Sequence, residues 1–143
     1  MLSVLERVLV LKAVTLFAAT PDPVLYEIAA LVSEEEHAAG SVVVAQGASG
    51  SSMYVVVAGR LRVYDGPRTL NHLESRAVFG EMALLDPEPR AASVTALEDS
   101  LLLRIDHAPF HELLADRSEV AQSLIRILAG YVRERLDDLA NAP

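Results

Sequence analysis

Short strand-length segments separated by glycine turns fill the middle of the chain and restrict its fold more than any other feature. Between residues 35 and 105, apolar and β-branched residues recur in runs of about four to seven, the usual length of a strand. Glycine turns such as Ala58-Gly59-Arg60 and Asp65-Gly66-Pro67 separate neighbouring runs. The candidate strands are 35–38, 41–45, 52–58, 60–65, 68–73, 77–79, 91–97 and 100–105. Many short strands without long helices between them favour a closed roll or barrel.

Helical patterns flank this segment on its N-terminal side. Residues 2–19 are predicted to be helical, and a second helix is predicted to open at Asp22-Pro23, where proline fits the first turn. The first helix has Leu5, Val8, Leu9 and Lys12 at helical spacing. In the second helix, the residues predicted to form the inner face are Leu25, Ile28, Ala29 and Val32.

Two more helices are predicted on the C-terminal side, over 107–115 and 117–140, the first with Asp106 as its N-cap. The last helix carries two apolar stripes. They are Val120, Leu124, Ile127 and Tyr131, and Ile125, Leu128, Val132 and Leu136. Because one stripe is enough to dock a helix on the roll, the second requires another partner, such as a ligand base, the N-terminal helices or a second subunit.

The length and charge of the chain exclude several classes of protein. A chain of 143 residues with 52% hydrophobic content predicts one domain with an adequate core. The net charge of −8 argues against a nucleic-acid partner, which requires clustered Lys and Arg. The apolar run 8–19 is short and interrupted by Lys12, so neither membrane insertion nor a signal peptide is predicted. The absence of cysteine fits a cytoplasmic location.

Residues 79–95 combine the features of an anion-binding site. Gly80 allows close backbone approach, and residues 81–85 form a short helical turn that Asp86-Pro87 ends. The free N–H groups at the start of this turn favour an anion, and the Arg90 guanidinium can hold a phosphate through two hydrogen bonds. The Glu81 carboxylate only accepts hydrogen bonds, so it suits a sugar hydroxyl. Together these features predict a small nucleotide ligand.

The same residues resemble a known family. Phe79-Gly80-Glu81-Met82-Ala83-Leu84-Leu85, followed by Pro89-Arg90-Ala91-Ala92-Ser93-Val94, is similar to the phosphate-binding cassette of cyclic nucleotide-binding domains. That family includes regulatory subunits of cAMP-dependent protein kinase, catabolite activator proteins and domains of gated channels. Residues 45–47 and 53–61 resemble its earlier strand-and-turn signature.

The resemblance implies a mainly β member of the α+β class: an eight-stranded, jelly-roll-like β-roll flanked by N-terminal helices and two C-terminal helices. The implied division of the single domain 1–143 is 1–33 for the N-terminal helices, 34–106 for the roll with its cassette 79–95, and 107–140 for the C-terminal helices. Glu81 would bind the ribose 2′-hydroxyl and Arg90 the cyclic phosphate, assisted by backbone amides near Gly80, Met82 and Ala91. The implied ligand-binding set is Gly80, Glu81, Met82, Ala83, Arg90, Ala91 and Ser93.

The family pattern also bears on the base. A Thr directly after the arginine tends to favour cGMP in the family, whereas this chain has Ala91, so cAMP is the expected ligand and cGMP the less favoured one. Ser93 lies two residues further along the strand and is either a ligand contact or an ordinary strand residue. Tyr131 is either a lid over the purine or, as is more common for such a tyrosine, a core or dimer contact.

Three departures from the family pattern leave a second interpretation open. Residues 49–52 are Ser-Gly-Ser-Ser where an Asp is usual, Arg76 stands where a Gly is usual, and Val78 replaces a frequent aromatic residue. The alternative to a cyclic nucleotide sensor is therefore a degenerate roll that binds no nucleotide and serves as a protein interaction module.

Ordinary explanations also compete for individual residues. Arg90 could form a surface salt bridge to Asp86 or Glu88, and Glu81 could be a helix-start acid stabilised by the dipole. His107 and His111 have a metal-binding spacing but no third ligand at a useful distance, so no metal is predicted.

The predicted role is regulatory. No general base or activated nucleophile has a credible setting, so an enzyme is not predicted. We expect the output to lie in a fused effector domain or a partner protein, with a homodimer through the last helix as a further alternative.

Overall fold

The computed structural model describes residues 1–141. Within this range there are ten strands. They are β1 (Ser33–His37), β2 (Val42–Val44), β3 (Ser49–Gly50), β4 (Ser52–Ala58), β5 (Leu61–Asp65), β6 (Arg68–Leu73), β7 (Val78–Phe79), β8 (Glu88–Pro89), β9 (Ser93–Ala96) and β10 (Ser100–Asp106). The helices are α1 (Val4–Lys12), a 3-10 turn (Thr15–Phe17), α2 (Asp22–Leu31), α3 (Glu81–Leu85), α4 (His107–Asp116) and α5 (Ser118–Ala140).

Eight of the strands form two four-stranded antiparallel sheets, which confirms the predicted eight-stranded roll. One sheet has the order β1-β10-β4-β7 and the other β2-β9-β5-β6. The other two strands, β3 and β8, pair with each other. The sequence did not predict this two-stranded ribbon, because each strand has only two residues and shows no alternation.

Strand β4 is buried on both faces and lies between two apolar clusters. Side chains alternate along a strand, so Met53 and Val55 pack with the helices while Tyr54 and Val56 point into the roll. The helix-side cluster is the larger and includes Phe17 and Phe110, whose rings lie 5.9 Å apart. The core therefore has one layer between helices and sheet and a second layer inside the roll.

The first helix is shorter than predicted. Ser3 caps α1 through a reciprocal pair of hydrogen bonds with Glu6, but the helix ends at Lys12 rather than continuing to residue 19. Leu16 and Phe17 are adjacent and both fully buried, an arrangement that the separate 3-10 turn permits. Along α1, Val8 and Leu11 are buried, while Leu5 and Leu9 are exposed.

The second helix agrees with its prediction. It begins at Asp22 after Pro21 and buries Leu25, Ile28 and Ala29, while Val32, also buried, follows its last residue. Among residues 1–141, no helix is both long enough and apolar enough to cross a membrane.

The C-terminal helices begin and end close to the predicted residues. Asp106 occupies the N-cap position of α4, but its side chain does not cap the helix and bonds Ser52 and Arg104 instead. The first predicted stripe of α5 is docked, since Val120 and Leu124 are buried in the helix-side cluster. Three residues of the second stripe, Ile125, Val132 and Leu136, are exposed at 64%, 58% and 59%, whereas Leu128 is half-buried.

Candidate functional site

Backbone hydrogen bonds to the loop before β4 fix the position of Arg90. The β3–β8 ribbon continues into two further hydrogen bonds, from the Arg90 N–H to the Ala48 carbonyl and from the Gly47 N–H to the Arg90 carbonyl, each 2.8 Å long. The loop at residues 47–50, where the sequence departs from the family pattern, therefore fixes the backbone of the predicted phosphate-binding residue.

Two glycines leave the space that the Arg90 side chain occupies. A Cβ at Gly50 would lie 2.7 Å from Arg90 Nε, and a Cβ at Gly80 would lie 2.5 Å from Arg90 Nη1. Such distances are closer than nonbonded atoms tolerate, so both positions require glycine while the guanidinium stays here. Gly80 also adopts a left-handed conformation, with φ of 76°, at the N-cap of α3.

The guanidinium is held by a carbonyl and not by a carboxylate. Nη2 donates to the Ser52 carbonyl at 2.9 Å, while the buried Nε has no partner among the described residues. The alternative salt bridge to Asp86 or Glu88 is not formed, because none of the ion pairs within residues 1–141 includes Arg90. Arg90 is thus a cation without a neutralising partner.

Two stacked aromatic rings lie next to the Arg90 guanidinium. Arg90 Cζ lies 5.9 Å from the centroid of the Tyr54 ring, which stacks on Phe79 at 4.8 Å and 14°. Burial lowers the pKa of the Arg90 guanidinium, although an arginine stays charged in proteins. Sequence reasoning missed Gly50, Ser52 and Tyr54, whose only local signal was their position in the strand-and-turn segment before the cassette.

A cavity of about 300 Å³ opens beside Arg90. This volume is at the lower end of the roughly 300–1,000 Å³ typical of small-molecule sites. Five predicted site residues line it, namely Gly80, Met82, Ala83, Arg90 and Ala91. Its inner wall is apolar and is formed by Val44, Val63, Phe79 and Val94. The cavity can therefore accept a compact ligand with one anionic group and one flat apolar part.

Glu81 and Ser93 do not line this cavity. Glu81 is half-buried, and burial raises the pKa of its carboxyl group. The Ser93 hydroxyl accepts a hydrogen bond from the Gln46 N–H at 2.9 Å, a structural contact between β9 and the turn after β2. Tyr131 is also outside the lining; burial raises the pKa of its hydroxyl, and the negative charge of Glu81 adds to this effect.

The start of α3 leaves its first amides available. The first hydrogen bond within the helix runs from the Leu84 N–H to the Gly80 carbonyl at 3.2 Å. The N–H groups of residues 81–83 therefore precede the helical ladder and point from its N-terminal end. They are additional donors on the side of α3 from which Arg90 Nη1 approaches Gly80.

Residues 34–117, more than half of the chain, match the family model of the cyclic nucleotide-binding domain. The chain belongs to the cyclic nucleotide-binding domain family.

Relatives and solved structures agree with this family. The chain is 29% identical over 107 residues to a CRP-like cAMP-activated global transcriptional regulator of Mycobacterium tuberculosis, an alignment that covers 71% of this chain and 48% of the relative. The chain therefore spans about half the length of that relative. Its fold is similar to the N-terminal domain of a Streptomyces coelicolor A3(2) transcriptional regulator, with a TM-score of 0.84, 32% identity and coverage of 91% and 94%. It is also similar to the regulatory domain of Toxoplasma gondii PKA, crystallised with cAMP, with a TM-score of 0.71, 25% identity and coverage of 77% and 44%.

The departures from the family pattern have visible structural solutions. Arg76, at the position where the family usually has Gly, adopts a left-handed conformation with φ of 75°. Its N–H still donates to the Val56 carbonyl at 2.8 Å, so the turn before β7 is retained despite the larger residue. Val78 pairs with Val55 in the sheet.

The two histidines with metal-binding spacing form a stacked pair. The His107 and His111 rings lie 5.4 Å apart. Among residues 1–141 no group of three or more His, Cys, Asp and Glu side chains is arranged to hold a metal ion.

Proposed function

We propose that this member of the family is a regulatory domain that binds cAMP, with cGMP as the weaker ligand, and acts on a fused or partner effector. The observation that carries the proposal is the Arg90 guanidinium, which reaches a cavity of about 300 Å³ with a carbonyl as its hydrogen-bond acceptor. An unneutralised cation in a partly buried site favours an anionic ligand, because charge-assisted hydrogen bonds strengthen where water is excluded.

The cyclic phosphate would bind between Arg90 and the first turn of α3. Arg90 offers several N–H donors, one of which bonds the Ser52 carbonyl in the structure. A charged phosphate oxygen is a stronger acceptor than a neutral carbonyl. We therefore expect Arg90 to turn from Ser52 toward the phosphate, while amides near Gly80, Met82 and Ala91 supply further donors.

The ribose would be bound by Glu81. Burial raises the pKa of this carboxyl group, so its charged form is only partly solvated. Because Glu81 does not line the cavity, this role requires its side chain to turn toward the ligand. A 2′-deoxy ligand should then bind equally to the native chain and to Glu81→Ala, whereas a penalty for deoxygenation that survives in Glu81→Ala would refute the role.

The base would lie against the apolar wall formed by Val44, Val63 and Val94. Ala91 provides no hydroxyl for the guanine amino group, which supports cAMP over cGMP. A Ser93 contact and a Tyr131 lid stay predictions, because Ser93 is bonded to Gln46 and neither residue lines the cavity.

Isothermal titration calorimetry with cAMP and cGMP tests the proposal against the alternative of a non-binding interaction module. We expect micromolar binding of cAMP that Arg90→Ala weakens by about 2–5 kcal/mol, the usual effect of removing one partner of a buried charge pair. Arg60→Ala is the matched control, since Arg60 pairs with Glu74 on the exposed surface. No heat and no thermal shift at millimolar nucleotide would support the interaction module.

The effector and the oligomeric state extend this proposal. The exposed stripe of α5 supports a homodimer, because Ile125, Val132 and Leu136 leave an apolar face uncovered. Sedimentation of the full chain as a monomer at high micromolar concentration would refute it. A regulatory rather than catalytic role and a cytoplasmic location stay predictions.

A further inference from the structure

The first residue of α4 is bonded directly to the cassette helix. The Nδ1 of His107 lies 2.6 Å from the Leu84 carbonyl oxygen. A carbonyl only accepts, so Nδ1 carries the hydrogen and donates it. Leu84 belongs to the last turn of α3, where helix carbonyls have no acceptor role within the helix itself. The imidazole therefore joins the C-terminal end of α3 to the N-terminal end of α4.

The preceding residue is bonded to the support of Arg90. The Asp106 carboxylate accepts from the Ser52 hydroxyl at 2.6 Å and from Arg104 Nε at 2.7 Å. The carbonyl of the same Ser52 accepts from Arg90. In addition, the His107 N–H donates to the Ser51 carbonyl at 2.7 Å. Two consecutive residues at the start of α4 are thus bonded to the cassette helix through Leu84 and to the Ser51-Ser52 segment that holds Arg90.

Packing makes this junction stiff. Leu84 is fully buried in the helix-side cluster together with Phe110, which lies one turn along α4 from His107. The His111 ring stacks on the His107 ring at 5.4 Å. A displacement of α3 therefore moves the Leu84 carbonyl. His107 must then move with this carbonyl or lose its hydrogen bond.

We propose that His107 is a positioning residue that transmits ligand binding from α3 to α4. The inference rests on the proposed function, because the displacement of α3 comes from closure of the cassette on the cyclic phosphate. When Arg90 turns from the Ser52 carbonyl to the phosphate, both connections to the start of α4 change together. The hydrogen bond to Leu84 makes α4 move with α3. The hydrogen bond between Ser52 and Asp106 transmits to α4 the change at Ser52 when Arg90 leaves its carbonyl.

Hydrogen exchange of the full chain with and without cAMP tests this role. We expect the native chain to change its protection in both 81–86 and 107–116. In His107→Ala, 81–86 should still respond, while 107–116 should lose most of its response. His107→Asn retains an N–H donor at a position close to Nδ1 and should restore the response of α4. His72→Ala, which removes an exposed histidine of β6, should behave as the native chain.

Each outcome decides the inference. Loss in His107→Ala with rescue in His107→Asn supports it. An unchanged α4 response in His107→Ala, or equal loss in both variants, overturns it, because the hydrogen bond is then not the link. If His107→Ala does not fold, His107→Leu replaces it, since leucine keeps apolar volume without a donor. A native chain that gives no calorimetric signal with cAMP or cGMP overturns both proposals, whereas binding without a His107 effect overturns this one alone.

Discussion

Replacing Gly80 by alanine tests whether this glycine is required by the Arg90 side chain or merely by the backbone. With φ of 76°, any L-residue at this position carries a left-handed penalty of roughly 1–2 kcal/mol. The new Cβ would also lie 2.5 Å from Arg90 Nη1 and 2.6 Å from the Ser52 carbonyl oxygen. Arg90 must therefore move and give up its hydrogen bond to Ser52.

The cost of losing the Arg90–Ser52 hydrogen bond can be separated from the backbone penalty. A hydrogen bond to a charged group contributes about 1.5–3 kcal/mol, so Gly80→Ala should lose about 2.5–5 kcal/mol of unfolding free energy in total. Gly66 in the β5–β6 turn supplies the matched control, since its φ of 57° is also left-handed but its Cβ would meet nothing within 4 Å. Gly66→Ala should lose about 1–2 kcal/mol, the backbone penalty alone.

Urea unfolding of both variants gives the stability difference, and calorimetry with cAMP gives the functional one. Gly80→Ala should bind cAMP far more weakly than the native chain, because Arg90 is displaced and the backbone at the start of α3 is obstructed. Gly66→Ala should bind normally. If the two variants were equally destabilised and both retained native affinity, Gly80 would have only a turn-forming role and the argument from Arg90 would be refuted.

Three further changes test other features of the structure. Arg76→Gly should raise the unfolding free energy by about 1 kcal/mol, because it relieves a left-handed arginine, and an unchanged or lower urea midpoint would contradict this. Gly130→Ala should stabilise the chain by about 1 kcal/mol, since Gly130 is inside α5 and its Cβ would meet nothing within 4 Å; a lower melting temperature would show that the glycine is needed. For Glu81, burial raises the folded pKa above the unfolded one, so its carboxyl group contributes less stability as the pH rises through that interval. Glu81→Gln should therefore be more stable than the native chain near neutral pH, and its stability should fall less as the pH rises above the ordinary pKa of glutamate, measured by urea unfolding; an unaltered profile would contradict the burial effect.

The fold class and the cassette could both be predicted from local features of the sequence. Strand-length runs between glycine turns predicted the roll, because alternation and turn residues are local properties of the chain. Gly80 and Arg90 were also identifiable as site residues from local signals. A glycine before a short helical turn and an arginine after a proline-containing turn are together suited to binding an anion. The second helix also followed from local signals at Asp22-Pro23.

The contacts between these parts depend on residues far apart in the chain and could not be predicted from local features. The two-residue strands β3 and β8 exist because Gly47 and Ala48 bond the backbone of Arg90, a pairing across some forty residues that no local pattern encodes. The early end of α1 followed from the need to bury both Leu16 and Phe17. Asp106 is a residue type that often caps helices, but its carboxylate accepts hydrogen bonds from Ser52 and Arg104 instead. Local sequence fixes which groups are available, whereas the folded chain determines which of them compete for the same partner.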